Sequence, residues 1–165
     1  MTTHTPKYVT YLKSSIGAIA IEGNEVGVTA IQFLDAAAPN HNSTVIPTFL
    51  SDAAIQLQEY FDKKRTDFDI SMDLQGTDFQ LRVWKELQHI PYGKTVSYLD
   101  VALALGDRKA IRAVGTANGR NPIAIVVPCH RVIGSDRSLT GYAGGLERKK
   151  WLLDLEQPFV QGSLF

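Results

Sequence analysis

The segment "SYLDVALALGDRKAIRAVGTANG", residues 97–119, contains two short helical patterns separated by a glycine. Ser97 and Asp100 form a capping box that can start the first helix, and Gly106 is placed to end it. Asp107 can cap a second helix, which is basic and rich in small residues and runs to the end of the segment. Two helices joined by a short glycine turn are typical of a helix-turn-helix.

The chain before this segment is β-rich, with one helical run. A helix is predicted from a cap at Ser51 or Asp52 to residue 64, and a strand over Asp67–Leu74, where apolar and polar residues alternate. Further strands are predicted at YVTYLK (8–13), GAIAIE (17–22) and VGVTAIQFL (26–34), with Gly23-Asn24 as the turn between the last two.

These patterns predict an α+β fold with two domains and a tail. A small β-rich N-terminal domain, an antiparallel sheet plus a helix, occupies residues 1–76. A mainly helical C-terminal domain with the helix-turn-helix occupies residues 77–157. It begins with a capping box at Thr77 and ends in a helix at 145–156. Residues 158–165 follow as a tail.

The composition is that of a globular protein, with 44% hydrophobic and 21% charged residues and a net charge of zero. The single cysteine excludes an internal disulfide and a multi-cysteine zinc site. We expect neither a cofactor nor a metal. Since the chain has no signal-peptide pattern and no membrane-length apolar run, we expect a cytoplasmic protein without a membrane partner. No feature of the sequence argues against a monomer, which is the expected state.

Charge is distributed unevenly along the chain. Residues 1–76 carry 5 basic and 9 acidic side chains, whereas residues 77–165 carry 12 and 8. Five basic residues and one acidic residue lie within Asp107–Arg131. Such a cluster suits contact with a polyanion, although a solvated charged surface produces the same pattern.

The single cysteine lies in "IAIVVPCHRVIGS", residues 123–135. The apolar run at its start predicts a buried strand-like segment, which Pro128 ends just before Cys129. His130 follows directly, and Glu156 lies on a helix that could pack nearby. A cysteine, a histidine and a carboxylate that orients the histidine are typical of an activated sulfur nucleophile. The alternative is that Cys129 is a small buried side chain with a packing role only.

The surrounding sequence resembles the O6-alkylguanine-DNA alkyltransferases. The likeness lies in "RAVGTANGRNPI" (112–123), "PCHRVIG" (128–134) and "GYAGGLERKKWLL" (141–153), and it covers Thr77 to Glu156. The resemblance implies a DNA repair protein, a methylated-DNA–[protein]-cysteine S-methyltransferase, that binds duplex DNA and flips out the damaged base. It would transfer the alkyl group irreversibly from O6-alkylguanine, and from O4-alkylthymine as a further substrate, to its own cysteine.

The resemblance also implies roles for individual residues. Cys129 would accept the alkyl group, His130 would act as the base through a water molecule, and Glu156 would orient the histidine. Tyr98 would help to rotate the nucleotide and protonate the leaving purine, and Asn121 would form the hinge between the recognition helix and the site.

Two further sets of residues follow from the same resemblance. The substrate pocket would include Pro128, the Val132 carbonyl that reads the guanine amino group, the Tyr142 wall and the backbone N–H of Ala143. The DNA-binding residues would be Tyr98, Arg112 as the finger that fills the space of the flipped base, Ala113, Gly115, Thr116 and Arg120.

Other classes of protein share parts of this pattern. A non-repairing lesion-binding helix-turn-helix protein would bind the same DNA, but such relatives usually lack the cysteine. A helix-turn-helix regulator would not need the Pro-Cys-His-Arg run, and a cysteine hydrolase should show an oxyanion site, which the sequence does not identify.

The last five residues, Gln161 to Phe165, resemble the pentapeptide by which bacterial proteins bind the DNA sliding clamp. The glutamine and the Leu-Phe pair match that pentapeptide, whereas Gly162 replaces its usual leucine and would weaken the contact. The alternative is a disordered or core-packed terminus. The sequence therefore predicts a possible second partner, besides double-stranded DNA.

Overall fold

The computed structural model describes residues 8–39 and 46–158, and it confirms the α+β fold class. None of the helices in these ranges has the length and apolar character needed to cross a membrane. The first part of the chain contains the strands β1 (Tyr8–Ser14), β2 (Gly17–Gly23) and β3 (Val28–Phe33) and the helix α1 (Thr48–Phe61). The second part contains α2 (Asp78–Leu87), β4 (Val96–Ser97), α3 (Tyr98–Ala104), α4 (Ile111–Gly119), β5 (Val132–Ile133) and α5 (Leu146–Glu156).

Strands β1, β2 and β3 form an antiparallel sheet in chain order. The turn between β2 and β3 is longer than the predicted Gly23-Asn24 pair. The Asn24 side-chain oxygen accepts hydrogen bonds from the backbone N–H groups of Val26 and Gly27, at 2.8 and 3.1 Å. The asparagine thus replaces missing strand hydrogen bonds, which stabilises a four-residue turn.

Helix α1 begins at Thr48, earlier than the predicted cap at Ser51 or Asp52. Its N-cap is Pro47, which makes no side-chain cap hydrogen bond. The helix extends further because Leu50 is already fully buried, so the apolar face begins before the predicted cap.

The predicted strand over Asp67–Leu74 is wrong, although its apolar residues are partly buried against the core. Backbone hydrogen bonds join the segment to β3 at one residue: the Val28 N–H donates to Ser71 O and the Asp73 N–H to Val28 O, both at 2.8 Å. Pairing goes no further because Pro122 and Ala124 occupy the β3 edge at Ile31. The alternating pattern predicts that these side chains are buried, but it does not predict which segment of the chain hydrogen-bonds to the edge of β3.

The prediction of a strand-like segment over residues 123–127 is also wrong in conformation, although it is right about burial. Ile123 forms an isolated bridge with Ile31, and the chain then turns, with Ile125 in the left-handed region at φ 71°. The side chains of Ile123, Ile125 and Val127 are buried. The segment that leads to Cys129 therefore packs directly against β3.

The predicted helix-turn-helix is present. Both capping boxes form, Thr77 with Gln80 at α2 and Ser97 with Asp100 at α3. A one-turn 3-10 helix, capped by the Asp107 side chain, precedes α4. Helix α2 supports α4 from behind: the Trp84 indole N–H donates to the Ala117 carbonyl at 2.9 Å.

The Thr77 capping box provides a test of helix stability. Thr77→Ala removes the acceptor for the Gln80 N–H and should lower the free energy of unfolding by about 1 kcal/mol. Thr77→Ser keeps the hydroxyl and is the matched control. Urea denaturation measures both; equal stability of the alanine and serine variants would contradict a stabilising role for the cap.

Candidate active site

Cys129 begins a one-turn 3-10 helix, Cys129–Arg131, and its side chain is almost completely buried. The Asn118 amide donates to its backbone carbonyl at 3.3 Å. Burial raises the pKa of the Cys129 thiol, while the Asn121 amide and the Lys149 ammonium partly oppose the rise. The thiol is therefore protonated at neutral pH, so it needs a base before it can act as a nucleophile.

The Glu156 carboxylate lies at the centre of a buried hydrogen-bond network. It accepts from His130 Nε2 at 2.7 Å, from the Tyr60 hydroxyl at 2.6 Å, and from the Gly93 N–H at 3.3 Å. Arg131 also donates to this carboxylate, from Nε at 2.8 Å and from Nη2 at 3.0 Å. Burial alone would raise the pKa of Glu156, but the hydrogen bonds from His130 and Arg131 lower it to about 2. The group is a carboxylate at neutral pH.

Burial sets the charge of His130, and this carboxylate sets its tautomer. Burial lowers the pKa of His130 below its ordinary value, so the imidazole is neutral at pH 7. Because Nε2 faces a carboxylate, we assign the single proton to Nε2. Nδ1 is buried and has no hydrogen-bond partner among the described residues. An imidazole held in this tautomer has its basic lone pair on Nδ1.

A cavity of about 340 Å³ opens over the cysteine and is called the Cys129 cavity below. Its walls come from β3, from the end of α4 with the chain that follows, and from the loop before α5. The lining residues are Ile31, Gln32, Phe33, Asn118, Gly119, Arg120, Asn121, Pro122, Ala124, Cys129, Tyr142, Ala143 and Gly144.

Two of the four predicted pocket residues, Tyr142 and Ala143, line this cavity, whereas Pro128 and Val132 do not. Pro128 lies against a separate pocket on the far side. The Val132 carbonyl accepts a hydrogen bond from Lys149 Nζ at 2.7 Å. Burial raises the pKa of Tyr142, whose hydroxyl has no hydrogen-bond partner among the described residues.

Asn121 lies between the end of α4 and the segment that leads to the cysteine. Its side-chain amide donates to Val127 O at 2.7 Å and to Ile123 O at 3.2 Å. Its side-chain oxygen accepts from the Ile123 N–H at 3.0 Å. The asparagine thus holds the turn that carries Cys129 against the helix.

The exposed face of α4 carries three of the residues predicted to bind DNA, and a fourth, Arg120, follows directly as its C-cap. Arg112, Ala113, Thr116 and Arg120 are exposed and are spaced so that they share one side of the helix. Gly115 is half-buried beside the ring of Tyr98.

Tyr98 and Arg131 are both held by internal contacts. The Tyr98 hydroxyl donates to the Thr140 carbonyl at 2.9 Å. Arg131, counted in the basic cluster of the sequence, is buried with Glu156 and donates from Nη1 to Ile90 O at 2.7 Å. It therefore does not belong to a surface for polyanions.

Sequence reasoning missed Tyr60 and the role of Lys149. Tyr60 comes from α1 and meets Glu156 across 96 positions of the chain, a separation that no local pattern reveals. Lys149 is fully buried and also donates to Thr140 O at 2.8 Å and Gly141 O at 3.3 Å. Burial lowers its pKa to about 8. Within residues 8–39 and 46–158, no group of three His, Cys, Asp or Glu side chains is arranged to hold a metal ion.

Comparison with known proteins decides the family. Residues 78–158 match the DNA-binding domain of 6-O-methylguanine DNA methyltransferase, and residues 7–74 match the ribonuclease-like domain of the same family. The chain belongs to this family. The resemblance expected from the sequence is thereby confirmed, including its class of enzyme.

Individual relatives of this family cover nearly the whole chain. A methylated-DNA–protein-cysteine methyltransferase of Methanosarcina barkeri is 47% identical over 157 residues, which are 91% of this chain and 97% of the relative. The enzyme of the same name from Mycobacterium tuberculosis is 49% identical over 148 residues, 88% of this chain and 90% of the relative.

Crystal structures from the family have the same fold. The Mycobacterium tuberculosis O6-methylguanine methyltransferase matches with a TM-score of 0.82 and 43% identity, over 97% of this chain and 100% of that one. Mycobacterium tuberculosis OGT in complex with DNA matches with a TM-score of 0.80 and 48% identity, over 92% of each chain.

The buried Glu156 network predicts a large and specific loss of stability on mutation. Glu156→Gln removes the negative charge and leaves Arg131 buried without its counter-ion, so the free energy of unfolding should fall by about 3–5 kcal/mol. Asp154→Asn on the same helix is the matched control. Asp154 pairs with Lys150 on the surface, so its loss should cost at most about 1 kcal/mol.

The pH dependence gives the second readout of the same prediction. Because the pKa of Glu156 is lower in the folded protein, its contribution is present above about pH 5 and is lost as the pH falls towards about 2. In Glu156→Gln, the free energy of unfolding should therefore fall less steeply between about pH 5 and about pH 2. Urea denaturation at several pH values in this range measures the difference. Equal losses of stability for the two variants, with parallel pH profiles, would contradict the assignment.

Proposed function

We propose that this protein repairs DNA by transferring the alkyl group of O6-alkylguanine in duplex DNA to the sulfur of Cys129. The observation that carries the proposal is the thiol at the Cys129 cavity, followed by a neutral histidine that a buried carboxylate orients. Family membership supports the same chemistry, since relatives at 47–49% identity are methylated-DNA–protein-cysteine methyltransferases and one similar structure contains DNA.

The buried network supports a simple proton path. Nδ1 of His130 accepts the Cys129 proton through a bridging water molecule, and Nε2 stays bonded to Glu156. The sulfur attacks the alkyl carbon, so that a C–S bond forms while the bond from that carbon to O6 breaks. The leaving guanine takes a proton, for which the Tyr98 hydroxyl is the donor, and the proton on His130 then replaces the one that Tyr98 has given.

The exposed face of α4 is the proposed DNA surface. Small residues there, Ala113, Gly115 and Thr116, allow close approach to the duplex, and Arg120 adds a positive charge at the cavity rim. A base paired in the duplex cannot reach a buried sulfur, so the nucleotide must leave the stack. Arg112 fills the space that it leaves.

The flipped guanine occupies the Cys129 cavity in this proposal. The Tyr142 ring forms one wall, and the Ala143 N–H is a donor for O6. The Val132 carbonyl remains the proposed acceptor for the guanine amino group, although it accepts from Lys149 and lies behind the cavity lining, so the base must displace part of that lining to reach it. Pro128 contributes by fixing the backbone before Cys129 rather than by lining the pocket. Asn121 keeps that backbone in register with α4.

The reaction consumes the protein, because the product is a thioether and a thioether sulfur is a poor leaving group. Each chain therefore acts once. O4-alkylthymine has the same alkyl–oxygen bond on an exocyclic oxygen, and we include it as a second substrate. A non-repairing lesion-binding protein would bind the same DNA but would have no use for a thiol followed by an oriented base.

The chain is proposed to act as a cytoplasmic monomer with two domains and a tail, at residues 1–76, 77–157 and 158–165. One chain supplies every group of the proposed site. The chemistry needs a reduced thiol, which the cytoplasm maintains.

The transfer reaction predicts a defined change of mass. When the protein is mixed with excess duplex containing one O6-methylguanine, its intact mass should rise by one methyl group, mapped to Cys129. Cys129→Ser should bind the duplex but gain no mass, because a serine hydroxyl is a far weaker nucleophile towards an alkyl carbon than a cysteine thiol. The same duplex with O4-methylthymine tests the second substrate.

Two outcomes would overturn the proposed transfer. The first is an unchanged mass with the duplex still bound, which is the behaviour of a lesion-binding protein. The second is methylation beyond one group per chain, or release of the group with turnover.

The sliding clamp is a further proposed partner, through Gln161–Phe165, which lies outside the described residues. The support is the glutamine and the Leu-Phe pair in the sequence. A chain lacking its last five residues should lose binding to immobilised bacterial clamp but keep alkyl transfer. Equal clamp binding by both forms would remove this part of the proposal.

A further inference from the structure

One wall of the Cys129 cavity comes from the first domain. Gln32 and Phe33, at the end of β3, line the cavity together with Tyr142 and Ala143 of the loop before α5. Gln32 is exposed and Phe33 is half-buried. The helix-turn-helix domain alone would leave this side of the cavity open.

Arg148 on α5 holds the two walls together. Its guanidinium carbon lies 5.0 Å from the centre of the Phe33 ring. Nε donates to Ile16 O at 2.8 Å and Nη2 to Leu34 O at 3.1 Å, both in the first domain. Nη1 donates to Gly144 O at 3.2 Å, in the loop of the second domain. One side chain therefore ties the end of β3 to the opposite wall.

The two walls meet at Gly144, where there is no room for a side chain. A Cβ atom at Gly144 would lie 2.8 Å from Tyr142 Cε2 and 3.0 Å from Phe33 Cδ2. Both rings thus press on the same backbone unit. Phe33 and Tyr142 are thus close neighbours at the cavity, so a change in the volume at Phe33 is expected to alter the space beside Tyr142.

We propose that Phe33 and Gln32 determine the size of the O6 substituent that Cys129 can accept. The inference rests on the proposed alkyl transfer and adds to it a specificity wall from the first domain. A methyl group needs little space beyond the guanine, whereas a benzyl group adds an aromatic ring that must fit between β3 and the loop. The first domain would then select the substrate without contacting the DNA face of α4.

The test compares second-order rate constants for transfer from duplexes containing O6-benzylguanine or O6-methylguanine. Phe33→Leu enlarges the cavity and should raise the benzyl-to-methyl ratio by roughly tenfold, the lower end of the effect of one methylene in an apolar pocket. Gln32→Trp narrows the cavity and should lower the ratio. Because Gln32 is exposed, this second variant tests the wall without disturbing the core.

Phe49→Leu is the matched control, since Phe49 is a half-buried phenylalanine of the same domain that does not line the cavity. Its ratio should equal that of the wild type. Parallel changes for both substrates in Phe33→Leu and Gln32→Trp, or equal shifts in the control, would overturn the specificity role. Absence of methyl transfer by the wild-type protein would instead overturn the proposed function itself.

Discussion

The Glu156 carboxylate is the interaction on which the rest of the structure depends. It accepts hydrogen bonds from Tyr60 of the first domain and from Gly93, His130 and Arg131 of the second. A buried carboxylate with fewer partners would be protonated, because burial favours the neutral form. With these donors it stays charged. Its hydrogen bonds also connect Tyr60 of helix α1 to the residues that follow Cys129.

The chemistry follows from the same arrangement. Burial lowers the pKa of His130, and the Arg131 charge lowers it further against the opposing effect of Glu156, so the imidazole stays a neutral base. Burial keeps the Cys129 thiol protonated until a substrate is in place. This combination limits reaction with other electrophiles, because the reactive thiolate is not present in the resting protein. In the proposed reaction, the cavity above the sulfur limits which alkyl groups can approach.

Much of the fold could be predicted because it depends on interactions between residues that are close in the sequence. The capping boxes at Thr77 and Ser97 need only residues three positions apart, and both form. The strand predicted over Asp67–Leu74 failed because another segment occupies the edge of β3, which is a long-range competition. In the candidate site, too, local sequence was informative and long-range contacts were not. The motif indicated Cys129, whereas no local signal pointed to Tyr60. Contacts between distant segments depend on the tertiary fold, so sequence patterns alone do not reveal them.

The central claim concerns the tautomer of His130, and ¹⁵N NMR of histidine-labelled protein tests it most directly. The chain has four histidines, so His130→Gln identifies the resonances of this ring. The account predicts a protonated Nε2 and an unprotonated Nδ1 at about pH 7.5. An imidazolium at this pH, or a proton on Nδ1, would contradict it, because Nδ1 would then have no lone pair for the thiol proton.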